Sequence, residues 1–378
     1  MKKFFLLVIL FTFYKTSFSQ TTLSKTIWHD GVNREYRIYI PAIYNAANPT
    51  PLVFNFHGYG NTNLIQEIYA DFKPIADTAN FIIVLPNGLL DNTNTRFWNC
   101  FGTSNIDDIG FVNALIDSIS TDYNINQNRI YCTGMSNGGF MSYELACNLS
   151  NRIAAIASVT GSMIQPKLDT CHAMHPTPVL QIHGTDDPTV SYDGTGGLLS
   201  SVHIDSLLKH WVQFNQCNST PIFNTLPNTN LTDNCTAEHY VWQNGTNNTS
   251  VEFFKIIGGE HSWPGSPFLN GVTNQDFKAT VEIWRFFNQY TLNSVTSLNE
   301  NKKEIFSIFP NPTTDKKCEL NFENTNLKNI FVFNILGEKI MQLSTNNLQV
   351  PITFKNAGIF FILVNENNKN YSSKIIVY

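Results

Sequence analysis

Ser136 stands in the sequence Gly-Met-Ser-Asn-Gly-Gly (residues 134–139), between an apolar run at residues 130–133 and a helical pattern that follows. A strand, a sharp turn and a helix in this order expose a serine hydroxyl as a nucleophile, whereas the bare G-x-S-x-G pattern also arises by chance. The flanking glycines support the turn, because side chains there would collide with the adjoining strand and helix. We therefore expect Ser136 to be a nucleophile.

Two aspartates and a histidine follow this serine in the order that such a nucleophile requires. A serine hydroxyl is a poor nucleophile at neutral pH and needs a histidine base that a carboxylate orients. Asp186 and Asp187 follow one later apolar run, and His261 follows the next. One aspartate is expected only to form a turn, and Pro188 favours Asp187 as the acid, because a residue before proline is held extended. The alternative for His261 is a solvated loop histidine.

Stabilising a tetrahedral intermediate also requires N–H donors aimed at its oxyanion. In the strand, turn and helix arrangement, one donor is the residue after the nucleophile, here Asn137, and the other comes from an earlier loop. The sequence His-Gly-Tyr-Gly (residues 57–60) fits that loop. The Tyr59 N–H is the preferred second donor and the Gly58 N–H the alternative, because glycines let the backbone turn its amides inward. A plain glycine-rich turn is the competing interpretation.

Two loop tryptophans and two aspartates admit both functional and structural interpretations. Trp98 and Trp263 could stack on a sugar or aryl ring of a substrate, or they could pack the lid over the site. Asp107 and Asp108 open the helical pattern at Ile109, so an N-cap and first-turn charge explain them without catalysis. The remaining histidines and cysteines show no metal-ligand spacing, and we expect no metal and no cofactor.

Apolar runs of strand length alternate with helical patterns along residues 20–292. The alternation predicts an α/β fold with a mostly parallel sheet covered by helices on both faces. A hairpin through Asp30 and Gly31 precedes it, because this turn dipeptide accepts positive φ. The predicted strands are residues 23–29, 34–40, 52–56, 81–85, 130–133, 153–159, 179–182 and 251–257, and the predicted helices are residues 109–119, 140–149, 204–214 and 277–287.

The last part of the chain has a different pattern. Residues 293–304 are polar and lack apolar periodicity, so they are predicted to be a linker. Beyond them, short apolar runs are separated by Pro, Asn and Gly turns, which predicts a small all-β domain, a β-sandwich, over residues 305–378. These runs are residues 305–309, 330–335, 359–364 and 374–377.

Residues 1–19 have the features of a secretory leader. Lys2 and Lys3 precede an apolar run at residues 4–14, and cleavage is predicted after Ser19. The alternative, a membrane anchor, is disfavoured because this run is shorter than the roughly 20 residues that a bilayer span needs. The formal net charge of −5 provides no basic surface for nucleic acid.

Seven cysteines lie outside the leader, which suits an oxidising compartment and disulfides. Cys147 with Cys171 and Cys217 with Cys235 are the expected pairs, because these cysteines lie near helix ends and loops. Each pair would close a loop of about 20 residues. Cys132 falls in a strand pattern and is a candidate buried thiol.

These motifs resemble the poly(3-hydroxybutyrate) depolymerase and feruloyl esterase group of secreted α/β hydrolases, close to carbohydrate esterase family 1. The resemblance covers roughly residues 28–290 and rests on His-Asp-Gly (29–31), Asp-Asp-Ile-Gly-Phe (107–111), the turn at residues 134–139, His-Gly-Thr-Asp-Asp-Pro-Thr-Val (183–190) and Gly-Glu-His-Ser-Trp-Pro-Gly (259–265). It implies an α/β-hydrolase fold with Asp187 as the acid and His261 as the base. Glu260 departs from the group, in which glycine is common at that position.

The C-terminal runs resemble the sorting domain of type IX secretion cargo. The matching sequences are Phe-Pro-Asn-Pro-Thr (309–313), Val-Phe-Asn-Ile-Leu-Gly (332–337), Gly-Ile-Phe (358–360) and Lys-Ile-Ile (374–376). Such domains are recognised at the outer membrane and usually removed. The resemblance implies export through the periplasm and outer membrane to the medium or the cell surface, with the type IX secretion machinery as a partner of residues 305–378. The rival interpretation, a carbohydrate-binding module, is disfavoured by the scarcity of tryptophan in this region.

The motifs and the resemblance together imply an extracellular serine esterase that hydrolyses feruloyl or acetyl esters of plant cell-wall polysaccharide, in polymeric or oligomeric form. The alternative is a poly(3-hydroxybutyrate) depolymerase with the same triad. A non-catalytic surface-binding homologue is a third interpretation, which the complete set of Ser136, Asp187 and His261 disfavours. Substrate preference is expected to depend on the lid at residues 90–106 and 162–177.

Overall fold

The computed structural model describes residues 20–195, 200–292, 306–334, 338–366 and 369–378. The predicted leader and the predicted linker lie outside these residues. The chain divides into two compact units, Met1–Ser297 and Leu298–Tyr378. Within the described ranges, no helix combines the length and the apolar composition that a bilayer span requires.

The first unit contains twelve described strands and seven described α-helices. The strands are β1 (Thr21–His29), β2 (Val32–Ile40), β3 (Thr50–Phe56), β4 (Ile82–Pro86), β5 (Leu89–Leu90), β6 (Arg96–Phe97), β7 (Ile125–Met135), β8 (Ala155–Val159), β9 (Val179–Gly184), β10 (Ile222–Thr225), β11 (Thr236–Trp242) and β12 (Val251–Ile257). The helices are α1 (Asn63–Tyr69), α2 (Lys73–Ala79), α3 (Asp108–Asp122), α4 (Asn137–Asn148), α5 (Gln165–Asp169), α6 (Ile204–Phe214) and α7 (Ala279–Phe287), with a short 3₁₀ helix at Thr246–Asn248.

Ten of these strands form one sheet in the order β1-β2-β4-β3-β7-β8-β9-β12-β11-β10, and β5 pairs separately with β6. The six central strands, β4 to β12 in this order, are parallel. Antiparallel strands extend the sheet at both edges. The predicted α/β fold, its mostly parallel sheet and the opening hairpin are therefore confirmed.

Helices cover both faces of the sheet, which explains why the central strands are apolar almost throughout. One core contains Leu52 and Phe54 of β3 together with side chains of α3, α4 and α6. The other contains Val53 of the same strand with side chains of α2 and α7. This division follows from the alternation of side chains along a strand.

Helix α4 begins at Asn137, directly after Ser136, and thus three residues before the apolar pattern indicated. Several of the elements that the sequence did not predict are short or exposed. Helices α1 and α2 have seven residues each, and every residue of the edge strand β10 is exposed. Such segments carry too few buried positions to show a helical or alternating period.

One of the two predicted disulfides is present in the structure. The Cys147–Cys171 disulfide is present, and Cys132 is a buried free thiol as expected. The Cys217–Cys235 prediction is wrong, because both of these cysteines are free. Cys235 directly precedes β11, whereas Cys217 contacts the carbonyl oxygen of Thr249 beside the opposite end of that strand. The seven residues of β11 separate the two thiols by roughly 20 Å at about 3.3 Å per residue.

The second unit consists of two antiparallel sheets, of three and four strands. The strands are β13 (Phe306–Phe309), β14 (Lys317–Phe322), β15 (Lys328–Asn334), β16 (Lys339–Thr345), β17 (Gln349–Thr353), β18 (Gly358–Glu366) and β19 (Lys369–Val377). Their inward side chains, including Leu320, Ile330 and Ile362, form a separate core. The predicted small all-β domain is therefore confirmed.

Candidate active site

A tight turn between β7 and α4 holds Ser136 at φ 56° and ψ −121°. This is the left-handed region, which a residue with a side chain occupies only at a cost in strain. A Cβ on Gly134 would lie 2.6 Å from the carbonyl oxygen of Phe56, and a Cβ on Gly138 would lie closer still. Both glycines are therefore required, and they let the serine project from the end of the sheet.

His261 meets a carboxylate in the geometry of a catalytic pair. Its Nδ1 lies 2.8 Å from Oδ2 of Asp187, whose side chain is fully buried. The other carboxylate oxygen accepts the N–H groups of Thr189 and Val190 at 2.8 and 2.9 Å. An ionised carboxylate only accepts, so Nδ1 of His261 carries the proton and Nε2 is left to accept one.

The neighbouring Asp186 lies outside this arrangement. It is exposed, its N–H donates to the carbonyl oxygen of Gly259 at 3.0 Å, and its carboxylate accepts the hydroxyl of Thr185 at 2.8 Å. The structure therefore places Asp187 against His261 and leaves Asp186 in the turn.

A second histidine, His183, touches the same carboxylate, although the sequence pattern predicted no role for it. Its Nε2 lies 2.8 Å from the carbonyl oxygen of Val190 and 3.5 Å from Oδ2 of Asp187. Its Nδ1 lies 3.0 Å from the side-chain amide of Gln181. Burial is the main cause that lowers the pKa of His183, so a neutral imidazole supports Asp187. The sequence feature that could have identified His183 as a site residue is its position four residues before Asp187 in the His-Gly-Thr-Asp-Asp motif.

The predicted oxyanion donors adjoin the nucleophile. A Cβ on Gly58 would lie 3.4 Å from Cβ of Ser136, so the loop at residues 57–60 passes directly beside the serine. The N–H groups of Tyr59 and Asn137 make no hydrogen bond to any residue that the structure describes, and the same holds for Gly58. These three N–H groups beside the nucleophile thus have no partner among the described residues.

The buried ring of His57 holds this loop in place through hydrogen bonds. Its Nδ1 lies 2.8 Å from the carbonyl oxygen of Gly58, and its Nε2 accepts the N–H of Gly88 at 3.0 Å. Nε2 is therefore the acceptor and Nδ1 the donor. Burial of the ring lowers the pKa of His57 to about 4, which keeps it neutral at neutral pH.

The predicted stacking role of two tryptophans is wrong, because both are buried. Trp98 is 0% and Trp263 is 1% exposed, so neither offers a face to a substrate ring. The Trp98 indole N–H donates to the carbonyl oxygen of His57 at 2.9 Å, and its backbone exchanges two hydrogen bonds with the side chain of Asn137. Trp263 packs edge-on against Phe72. Both residues hold site loops together.

The two aspartates at the start of α3 are structural. Asp107 is the N-cap and accepts the N–H of Gly110 at 2.8 Å, which confirms the predicted cap. Asp108 forms a buried ion pair with Arg34 and accepts the N–H of Asn99 at 2.8 Å. Within the described parts of the chain, no cluster of three His, Cys, Asp or Glu side chains is arranged to hold a metal ion.

Comparison with known families agrees with this architecture. Residues 104–219 match the family described as Phospholipase/Carboxylesterase, and residues 307–378 match the family described as Secretion system C-terminal sorting domain. Two separate parts of the chain are thus similar to these two families. The match to the first family includes Ser136 and Asp187, and His261 lies beyond it.

Individual relatives extend these matches. The chain is 27% identical over 271 residues to a bifunctional acetylxylan esterase/xylanase of Neocallimastix patriciarum, covering 72% of this chain and 35% of that relative. It is 32% identical over 174 residues to a probable feruloyl esterase C of Aspergillus niger, covering 44% of this chain and 59% of that relative. A solved acetyl xylan esterase from Aspergillus awamori aligns with a TM-score of 0.48 and 16% identity, covering 64% of this chain and 94% of that one. The chain therefore spans about a third and about three fifths of the two sequence relatives.

The adjacent Asp186 and Asp187 provide a matched pair of variants. Asp187→Asn should lower kcat by roughly four orders of magnitude, because an amide no longer holds His261 in the required tautomer. Asp186→Asn should cost less than about tenfold, because a turn carboxylate contributes only local hydrogen bonds. Steady-state hydrolysis of one soluble ester by both variants measures the difference. The reverse ranking would transfer the role of the acid to Asp186.

We expect the burial of His57 to make the stability of the first unit depend on pH. Its pKa is about 4 when folded against 6.5 ordinarily, so below pH 6.5 the unfolded chain binds a proton that the folded one does not. This stabilisation is complete above pH 6.5 and falls by about 1.4 kcal/mol per pH unit toward pH 4. Burial also lowers the pKa of His183, which adds a loss of the same sign.

Denaturant unfolding at several pH values should therefore give a flatter pH dependence for His57→Gln than for the unchanged protein between pH 4 and pH 6.5. The exposed His172 provides the control, since His172→Gln should leave the slope as it is. Equal slopes for the His57→Gln and unchanged proteins would show that His57 is charged in the folded state.

Proposed function

We propose that the protein is an extracellular serine esterase that hydrolyses carboxylic esters through an acyl-enzyme on Ser136. The contact of His261 Nδ1 with the buried carboxylate of Asp187, at 2.8 Å, carries this proposal. It leaves Nε2 of His261 as the base for a serine that a strained turn exposes. The carboxylesterase family match across Ser136 and Asp187 supports the same chemistry.

The reaction has two halves. In the first, His261 Nε2 accepts the Ser136 hydroxyl proton, Oγ bonds to the ester carbonyl carbon, and the N–H groups of Asn137 and Tyr59 stabilise the oxyanion. The intermediate then expels the alcohol, which takes its proton from His261. In the second half, His261 removes a proton from water as the water oxygen bonds to the acyl carbon; the bond from this carbon to Oγ then breaks, the acid leaves, and His261 returns the proton to Oγ of Ser136. Asp187 stays ionised throughout and stabilises the imidazolium.

We propose feruloyl or acetyl esters of plant cell-wall polysaccharide as the substrates. One observation supports this class: the relatives reported above are an acetylxylan esterase/xylanase and a probable feruloyl esterase.

We further propose that residues 305–378 direct export through the type IX secretion machinery and are then removed. The sorting-domain match over residues 307–378 supports this role in export. The second unit also has its own core of buried side chains, so it can act as a separate domain.

Replacement of the nucleophile tests the chemistry. Ser136→Ala should lower kcat by roughly six orders of magnitude with little change in substrate binding, because serine and histidine act as a unit. The unchanged protein should also be labelled by a fluorophosphonate, and the variant should not.

A panel of feruloyl, acetyl-xylan and hydroxybutyrate esters tests the substrate class, and the unchanged protein should prefer the first two. A variant that retains a tenth of the activity would exclude the serine mechanism, and a preference for hydroxybutyrate would favour a polyester depolymerase.

Truncation after Asn293 tests whether the C-terminal residues direct export. The shortened protein should keep its esterase activity to within about twofold and should accumulate in the periplasm instead of the medium, because the sorting domain is a separate unit. Activity in cell fractions and mass spectrometry of the exported protein measure both effects. An unfolded truncated protein would show a structural role for the tail, and an exported protein with its tail intact would contradict removal.

A further inference from the structure

Tyr59 is an accessible aromatic side chain in the loop that adjoins the nucleophile. Its side chain is 52% exposed, whereas the buried Trp98 and Trp263 are 0% and 1% exposed. The residue before it, Gly58, would carry a Cβ 3.4 Å from Cβ and 4.0 Å from Oγ of Ser136. The backbone that carries the Tyr59 ring is therefore one residue from a position in contact with Ser136.

Hydrogen bonds hold this ring in one place. The Tyr59 hydroxyl donates to Oδ2 of Asp91 at 2.6 Å. The other carboxylate oxygen of Asp91 accepts the N–H and hydroxyl of Thr93 and the N–H of Thr95, at 2.7 to 3.0 Å. The bonds from Tyr59 and Thr93 are the main causes that lower the pKa of Asp91, so this acceptor stays ionised.

The support of Asp91 is itself tied to the loop of Tyr59. Asp91 lies in the connection between β5 and β6, and Arg96 follows in β6. The Gly60 N–H donates to the carbonyl oxygen of Arg96 at 2.8 Å, and the Arg96 guanidinium donates to the carbonyl oxygen of Gly88 at 2.9 Å. The ring is thus fixed at both ends, and a ring held in advance loses little entropy when a ligand binds.

We propose that the side chain of Tyr59 is a specificity-determining platform on which a ring of the substrate stacks while its ester bond is at Ser136. This inference rests on the proposed esterase function. The backbone N–H of Tyr59 and its side chain would then serve two purposes, oxyanion stabilisation and ring recognition. Both an aryl ring in the acyl group and a pyranose ring in the alcohol present a flat apolar face that can pack on tyrosine.

Three esters separate these cases: methyl ferulate has a ring only in its acyl group, acetylated xylo-oligosaccharide only in its alcohol, and ethyl acetate in neither. The measured quantity is the ratio of kcat/KM for each ring-bearing ester to that for ethyl acetate. A change in oxyanion stabilisation affects all three esters and cancels in this ratio. Tyr59→Ala should lower one ratio by about fivefold to tenfold, mainly through KM, because an aromatic contact of this kind is worth about 1 kcal/mol. The ratio that falls identifies the ring.

Two further variants test the geometry. Tyr59→Phe and Asp91→Ala should each lower the ratio by a smaller factor than Tyr59→Ala, because the ring is still present but its hydrogen bond to Asp91 is lost. The surface change Asp91→Ala also tests the platform if Tyr59→Ala fails to fold. Phe223→Ala is the matched control. Phe223 is 50% exposed on the edge strand β10. This strand lies five strands from β7, which directly precedes Ser136. At about 4.8 Å per strand, the separation is roughly 24 Å.

Unchanged ratios in Tyr59→Ala and Asp91→Ala, or an equal fall in Phe223→Ala, would overturn the platform. Failure of the proposed function has a different signature, since the unchanged protein would then hydrolyse none of the three esters.

Discussion

The close contact between the end of β3 and the first turn of α4 is the constraint on which the site depends. The carbonyl oxygen of Phe56 occupies the space that a Cβ of Gly138 would need, so a larger residue there would shift the backbone. Because His57 follows Phe56 and Ser136 precedes the helix, this contact brings the loop of candidate oxyanion donors beside the nucleophile. The strained conformation of Ser136 is retained because packing on both sides of the turn determines it.

Neutral hydrogen-bonding side chains hold the loops around this turn. His57, His183 and Asn137 each bond backbone groups of the loops that they support. Neutral groups cost less to bury than charged ones, and burial lowers the pKa of both histidines. Oδ2 of Asp187 therefore lies near the neutral imidazole of His183 as well as near His261, and His183 introduces no competing cation.

The sequence by itself determined the features whose physical cause is local. The central strands and the longer helices follow from apolar runs and periods within one segment. The turn at Ser136 follows from glycines that neighbour it, and the cap at Asp107 from its position before a helical pattern. The choice of Asp187 over Asp186 was available from Pro188, because proline restricts the residue directly before it. These features account for most of the parallel sheet and for all three members of the candidate triad.

The tertiary structure alone decided which loop side chains are buried and what they contact. Trp98 bonds His57 across 41 positions and Asn137 across 39, and a loop tryptophan has the same local sequence whether it packs inward or faces a substrate. The full length of β11 separates Cys217 from Cys235, although the two are close in sequence. The contact of His183 with Asp187 likewise requires the path of the chain after β9. Burial and long-range contacts depend on how distant segments pack together, and no local pattern of residues encodes that packing.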